Sequence, residues 1–263
     1  MTDLRADCAS CFGLCCVAPA FARSADFAID KPAGRPCVNL LADFRCGIHT
    51  DLRDRGFPGC TVYDCFGAGQ HVARSFAGRE WRSSPEVAES MFAVFPVMRD
   101  LHELLWYLTE ALDRPRARPI RGELRRAFEE TESLTRRPPG ELVAVDVNAH
   151  RGAVDTWLLR TSELVRAGLR GRELRGADLM GRDLRDADLR GANLRGAYLI
   201  GADLKGANLG RADVIGADLR GADVCAARLA ESLFLTQFQV NAARGDAATT
   251  LPATLTRPAH WPV

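Results

Sequence analysis

Eight cysteines crowd the first quarter of this chain: Cys8, Cys11, Cys15, Cys16, Cys37, Cys46, Cys60 and Cys65, in the pattern C-x2-C-x3-C-C-x20-C-x8-C-x13-C-x4-C. Thiolates are soft ligands, and a C-x2-C step lets two sulfurs reach one ion, so the set suits zinc or iron–sulfur chemistry. Neighbouring side chains diverge, which makes the adjacent pair Cys15–Cys16 hard to place on one tetrahedral ion. The pair points to two nearby sites, or to one polynuclear cluster whose ligands it divides. Eight thiolates serve two zinc ions or one to two clusters equally well, so the metal stays open. Reversible disulfides of a redox sensor, and buried thiols with no further role, are the competing readings. His49 and His71 are candidate additional ligands, with a surface or core histidine as the plainer reading of each. The ninth cysteine, Cys225, sits at an outward repeat position far along the chain and reads as a bystander.

Other motifs fail on inspection. "HELLW" begins like the zinc-protease H-E-x-x-H, but Trp106 stands where the second histidine belongs, so His102 and Glu103 read as a helix surface. No phosphate-binding G-x-x-x-x-G-K-[ST] loop occurs, and no Ser/His/Asp set or paired carboxylate can be assigned. Catalytic residues therefore remain unknown. The formal net charge of +1, with 47% hydrophobic and 26% charged residues, gives no global field for nucleic acid or a membrane surface. The opening "MTDLRADCAS" lacks an apolar signal region, and no apolar run approaches the ~18 residues of a membrane span. A cytoplasmic protein is the expectation, and in that compartment clustered thiols point to metal before disulfides.

These cysteines need elements to hold them. Residues 1–80 have few periodic segments and would bury little apolar surface alone, so metal or cross-links would help them keep shape. A helix starts near Ser84, with Pro85 at its first position and an apolar stripe from Val87 through Met91, Met98 and Leu105 to Leu112. Pro96 lies inside that stripe and predicts a kink or a split. A second helix is expected over 120–136, and a third from about 140 into the 160s.

From about residue 162 the period becomes five. A ladder of Leu, Val and Phe runs from Leu164 to Phe234, with Ala two positions before most members and Asp or Asn just before. Five matches neither helix nor alternating strand; it fits a coil of four short sides that stacks on itself. Between Arg166 and Glu231 twelve basic residues face ten acidic ones, many of them two positions apart. Met180 and Ile200 fall one above the other on one side, with Tyr198 adjacent, and mark a candidate contact patch.

The unit A-(D/N)-L-x-x over 162–236 resembles the pentapeptide-repeat family, which implies a right-handed quadrilateral β-helix. Arg172 and Arg182 depart from the pattern at small inward positions, so the first coil is expected to be loosened there or to be capped by the preceding helix. Some members of that family imitate duplex DNA and act on DNA gyrase; a mimic must present about one uncompensated negative charge per ~1.7 Å of axis, and this neutral surface does not. "CASCFGLCC" with the later cysteines through "CGIH" and "YDC" resembles the zinc- or iron-chelating family defined by CxxCxxxCC, spread among bacterial proteins. That resemblance implies metal binding by the eight N-terminal cysteines, not a reaction.

The expected architecture is a multi-part α+β chain. A Cys-rich zinc- or iron-chelating module covers 1–80, a helical region 81–161, a β-helix 162–236 and a capping tail 237–263. The expected function is a zinc or iron–sulfur protein that uses the repeat as a protein-interaction or regulatory scaffold, with a protein partner on the repeat surface and neither membrane nor nucleic acid. The alternatives are a metalloenzyme or redox protein whose cluster does the chemistry, and a gyrase-interacting DNA mimic.

Overall fold

The structure is a computed structural model that describes residues 3–262. Its regular elements are helices: α1 (Leu14–Val17), α2 (Pro58–Thr61), α3 (Ala68–Ser75), α4 (Pro85–Asp113), α5 (Arg121–Thr135), α6 (Pro139–Val143), α7 (Val147–Arg166) and α8 (Gln237–Ala242). Two compact units form. The first comprises residues up to Asp113 together with Pro119–Leu158, and the second comprises Arg114–Arg118 with the residues from Leu159 onward. Among the described residues no helix is long and apolar enough to cross a membrane.

The first unit is organised by α4, which packs against α1, α3, α5 and α6. Its apolar stripe supplies Met91, Val94, Phe95, Met98 and Leu101 to one core with Leu14, Val17, Val72, Phe76 and Leu142. Ser84 caps α4 by accepting the Val87 N–H, as the sequence predicts. Of the kink or split expected at Pro96, the split does not occur: α4 continues through it. Burial of Val94, Phe95 and Met98 on either side outweighs the one backbone bond that proline removes. The expected third helix is instead two, because Asp146 accepts the Ala149 N–H and starts α7 afresh after the short α6.

In the second unit the five-residue period closes on itself every twenty residues. Asp183 pairs with Asp203 and Asp203 with Asp223, and Asn193 pairs with Asp213, all in parallel. Leu189, Leu194, Leu199, Leu204 and Leu209 are buried, and between them Ala192, Ala197, Ala202 and Ala207 are wholly inaccessible. The first coil is looser: Leu174, Leu179 and Leu184 remain half-buried, while Arg172 and Arg182 are exposed. At the far end the tail continues the pairing through Arg244 and Thr250, and buried Trp261 lies against Gly245, where a Cβ would come within 2.6 Å of the indole.

The expected β-helix, and with it the α+β class, is corrected here. Among the described residues the repeat forms no extended strand, only isolated single-residue bridges, and the regular structure of the chain is helical. The reason lies in the unit itself. Each Asp or Asn accepts the N–H two residues on, as Asp178 does from Met180 and Asp218 from Arg220. A left-handed glycine such as Gly181 (φ +61°) or Gly201 (φ +64°) then turns the chain. A turn in every five residues leaves one residue free to pair, which is too short for a strand.

Candidate functional site

The cysteines are brought together by short turns, not by long elements. Asp7 accepts the Ala9 N–H and starts the 3-10 turn Cys8–Ser10. Gln70, buried on α3, accepts the Asp7 N–H and donates to the Arg5 carbonyl, which ties this segment to the helical core. Gly13 (φ +65°) then bends the chain into α1; a Cβ there would lie 2.8 Å from both Leu40 Cδ1 and the Phe44 carbonyl. In α1, Leu14 and Val17 face the core, which leaves Cys15 and Cys16 on the opposite side. The Cys37 N–H donates to the Cys16 carbonyl at 2.9 Å, and Cys46 pairs with Leu40 across a hairpin turn. Cys60 lies in α2, and Cys65 precedes α3, its carbonyl accepting the Ala68 N–H.

All eight thiols are free, and they gather in part. Cys15 Sγ and Cys16 Sγ are 4.0 Å apart. Cys11 Sγ lies 2.6 Å and Cys65 Sγ 3.9 Å from the point where a Cβ on Gly69 would stand, so the missing side chain makes room for both sulfurs. Cys8 lies within electrostatic reach of Cys65 and Cys16, Cys11 of Cys65 and Cys8, and Cys46 and Cys60 of Cys16 and Cys37. Among the described residues, however, no three Cys, His, Asp or Glu side chains stand close enough to hold an ion as they are. Burial pushes the Cys11 thiol up to about 11 and the Cys60 thiol up to about 12. The Cys15 thiol donates to Cys16, which raises the first and lowers the second.

The donor chemistry suits a thiophilic cation. The pairs that form are sulfur with sulfur, and one buried cation stands beside them: the Lys31 ammonium donates to the carbonyls of Val17, Pro32 and Arg35 at 3.0, 3.1 and 3.0 Å. Burial pulls Lys31 down, while Cys37 and Cys16 support its charge.

The histidines fall differently. His49 is exposed on the turn His49–Asp51. The sequence reading of His102 as a helix surface is overturned: it is completely buried. Its Nδ1 donates to the Phe66 carbonyl at 2.7 Å, and its Nε2 lies 2.8 Å from His71 Nδ1, so the bonds form a chain from carbonyl to His102 to His71. Burial lowers His71 and takes His102 to about 4. Sequence spacing held the signal, since His102 sits four residues after Met98 and beside Leu101 on the buried stripe. Glu103, the other half of that reading, is half-buried and meets Arg99, Arg151 and the Tyr107 hydroxyl.

On the repeat, Met180 and Tyr198 are each 52% exposed, and the Ile200 carbonyl accepts the Gly181 N–H directly alongside. The surrounding carboxylates are mostly paired: Asp183 with Arg185, Asp188 with Arg190, Asp218 with Arg220, and Asp223 with Lys205. Cys225 belongs to this unit, and burial raises its thiol to about 11.

The sequence pattern of the family described as Pentapeptide repeats matches residues 162–199, 182–221 and 192–230. The chain is 58% identical over 265 residues to the uncharacterized protein YybG of Bacillus subtilis (strain 168), covering 98% of this chain and 95% of that one. Among solved structures, a pentapeptide repeat protein (Rfr23) from the cyanobacterium Cyanothece 51142 is 30% identical over 30% of this chain, with a TM-score of 0.27. That match spans about half (53%) of the Rfr23 chain. The pentapeptide repeat protein alr5209 from Nostoc PCC 7120 is 29% identical over 36% of this chain and 84% of its own, with a TM-score of 0.23.

Proposed function

Because this chain belongs to one family with YybG and carries the pentapeptide repeat, we propose that it is an interaction scaffold whose Cys-rich module holds a zinc or iron–sulfur centre. The ligands in this reading are Cys8, Cys11, Cys15, Cys16, Cys37, Cys46, Cys60 and Cys65. The observation that supports it is the partial gathering of free thiols, with Cys15 and Cys16 Sγ at 4.0 Å and Cys11 and Cys65 both bordering the space over Gly69. Bound zinc would supply a closed cross-link, whereas an iron–sulfur cluster would add electron transfer. The chain's own part is to present sulfur from turns that are otherwise held by few buried residues, so metal and fold are linked.

The interaction face in this reading is the patch of Met180, Tyr198 and Ile200, because the charges around it are compensated and Met180 and Tyr198 are exposed, with Ile200 half-buried beside them. A photo-crosslinking residue at Met180 should trap a specific protein that the same residue at Arg175, also exposed, does not trap. The paired carboxylates weigh against imitation of DNA.

Metal analysis with a visible absorption spectrum tests the centre, on protein purified without air and without a metal-chelating tag. Zinc in a colourless protein supports the cross-link. Iron with sulfide and a brown colour supports a cluster and turns attention to redox chemistry. Protein that carries no metal and takes up none overturns the reading.

A further inference from the structure

We infer that the open end of the first repeat coil, residues 172–185, is the docking surface for a second copy of this chain, joined first coil to first coil about a two-fold axis. The inference stands on the repeat alone and does not depend on the metal reading above.

The two ends of the repeat are finished differently. At the far end the tail supplies the next turn: the Gly221, Val224 and Leu229 N–H groups donate to the carbonyls of Ala242, Arg244 and Thr250. At the near end the pairing stops. In the second coil, Tyr198 donates its N–H to the Ala177 carbonyl and accepts the Leu179 N–H, and Asp203 does the same between Arg182 and Leu184. The equivalent groups of Asp178 and Asp183, one N–H and one C=O each, have no partner among the described residues. The interior side chains agree: Leu194, Leu199 and Leu204 are wholly buried, whereas Leu174, Leu179 and Leu184 beneath them are half-buried. Free backbone groups around uncovered leucines make a template for another edge of the same shape.

The form of that edge selects its occupant. The free groups recur at five-residue intervals around a bent rim, so a straight segment meets one side at a time and an identical coil meets both together. A two-fold axis sets the two rims antiparallel. An antiparallel hydrogen-bonded pair takes one N–H and one C=O from each residue, which is what Asp178 and Asp183 leave free. Charge permits the contact, because residues 172–190 carry five basic and five acidic side chains. Stacking of aspartate on aspartate is already built into this repeat, where Arg185 reaches Asp203 of the next coil at 3.8 Å and Lys205 reaches Asp223 at 3.2 Å. The tail covers the last coil, so the first coil of one copy cannot stack on the last coil of another. The assembly therefore closes as a dimer and does not grow into a filament.

The test uses the full chain as purified, in reductant so that no disulfide joins two copies. Sedimentation velocity from about 1 to about 100 μM should show the mass rising from 28.7 kDa to twice that value. Amide exchange in residues 177–184 should slow in the dimer relative to the dilute monomer, while that of residues 194–204 stays the same. Arg172→Glu with Arg182→Glu leaves three basic residues against seven acidic ones on the rim and should raise the dissociation constant at least about tenfold. Arg228→Glu, at an exposed position far from this end, should leave it unchanged. A chain that stays monomeric throughout, or a mass that grows past the dimer, overturns the proposal. So does a dimer whose residues 177–184 exchange as freely as in the monomer, or one indifferent to the rim charge.

Discussion

Acid should loosen the first unit through one residue. His102 is fully buried, gives its Nδ1 proton to the Phe66 carbonyl, and offers Nε2 to His71. A second proton would need to enter between two imidazoles in an apolar core, and burial accordingly takes His102 from 6.5 to about 4. The folded state thus holds the neutral ring while the unfolded chain binds a proton at 6.5. Stability from this group is fully present above pH 6.5 and is lost as pH falls toward 4. At about pH 5 the loss amounts to about 2 kcal/mol. His71 is lowered too and acts in the same direction.

Urea unfolding followed by tryptophan fluorescence, at about pH 7.5 and about pH 5, measures the effect, with His102→Gln as the comparison. Thiolate protonation and any metal release contribute to both proteins, so the useful quantity is the difference between their pH slopes. Wild type should lose about 2 kcal/mol more than the variant over that interval. Imidazole NMR of wild type gives a reading independent of the variant's fold, and His102 should remain neutral at about pH 5. Equal slopes, or a His102 ring that titrates near 6.5, would refute the reasoning.

Four further outcomes are expected. Arg195→Met leaves Asp213 buried without the guanidinium that now lies 3.0 Å away, and should cost about 3 kcal/mol in denaturant unfolding of the repeat. Trp261→Ala removes the indole that covers Gly245 and donates to the Ala243 carbonyl, with an expected loss of about 3 kcal/mol by the same assay. Gly67→Ala puts a Cβ 2.2 Å from the Asp3 carbonyl at a φ of +78°, so hydrogen exchange in residues 3–16 should accelerate while the repeat is unchanged. Chelation of metal-loaded protein should raise exchange in residues 8–65 and leave that of residues 189–235 as it was.

Much of this fold is written in spacing. The five-residue ladder marks the repeat because Leu and Ala must both point inward in each unit, and the stripe from Val87 to Leu108 marks α4 because one face must be apolar. The cysteine spacing likewise singles out residues that the fold brings together in part, Cys15 beside Cys16 and Cys11 with Cys65 over Gly69. What the spacing hides is set by tertiary contact. Pro96 stays helical because its neighbours are buried, and His102 hides within the core because a carbonyl 36 residues away accepts its proton. The expected strands fail for a local reason, since the Asp or Asn in each unit spends its side chain on the N–H two residues on. That signal is present in the sequence, but resemblance to a coil of strands draws attention away from it.

The same local bond limits what the repeat surface can do. In the unit at Asp188, one carboxylate oxygen accepts the Arg190 N–H and its Nε, and the other accepts the terminal guanidinium nitrogen. Asp183 with Arg185 and Asp218 with Arg220 repeat the arrangement. An aspartate that both forms the turn and holds an arginine at the second position after it contributes structure without contributing net field. A repeat built this way can lengthen without becoming an acidic rod, and the interaction face proposed above would therefore lie at positions where the pattern lapses. Position 180 carries Met, and position 198 carries Tyr where its stacked neighbours 178 and 218 carry Asp. Substituting the basic partners at 185, 190 and 220 by glutamine would therefore change the field strongly while preserving the turns, whose N–H bonds to Asp do not involve those side chains. Binding that survives this change but is lost on Tyr198→Asp would locate recognition in the apolar lapse, and the opposite pattern would return it to charge.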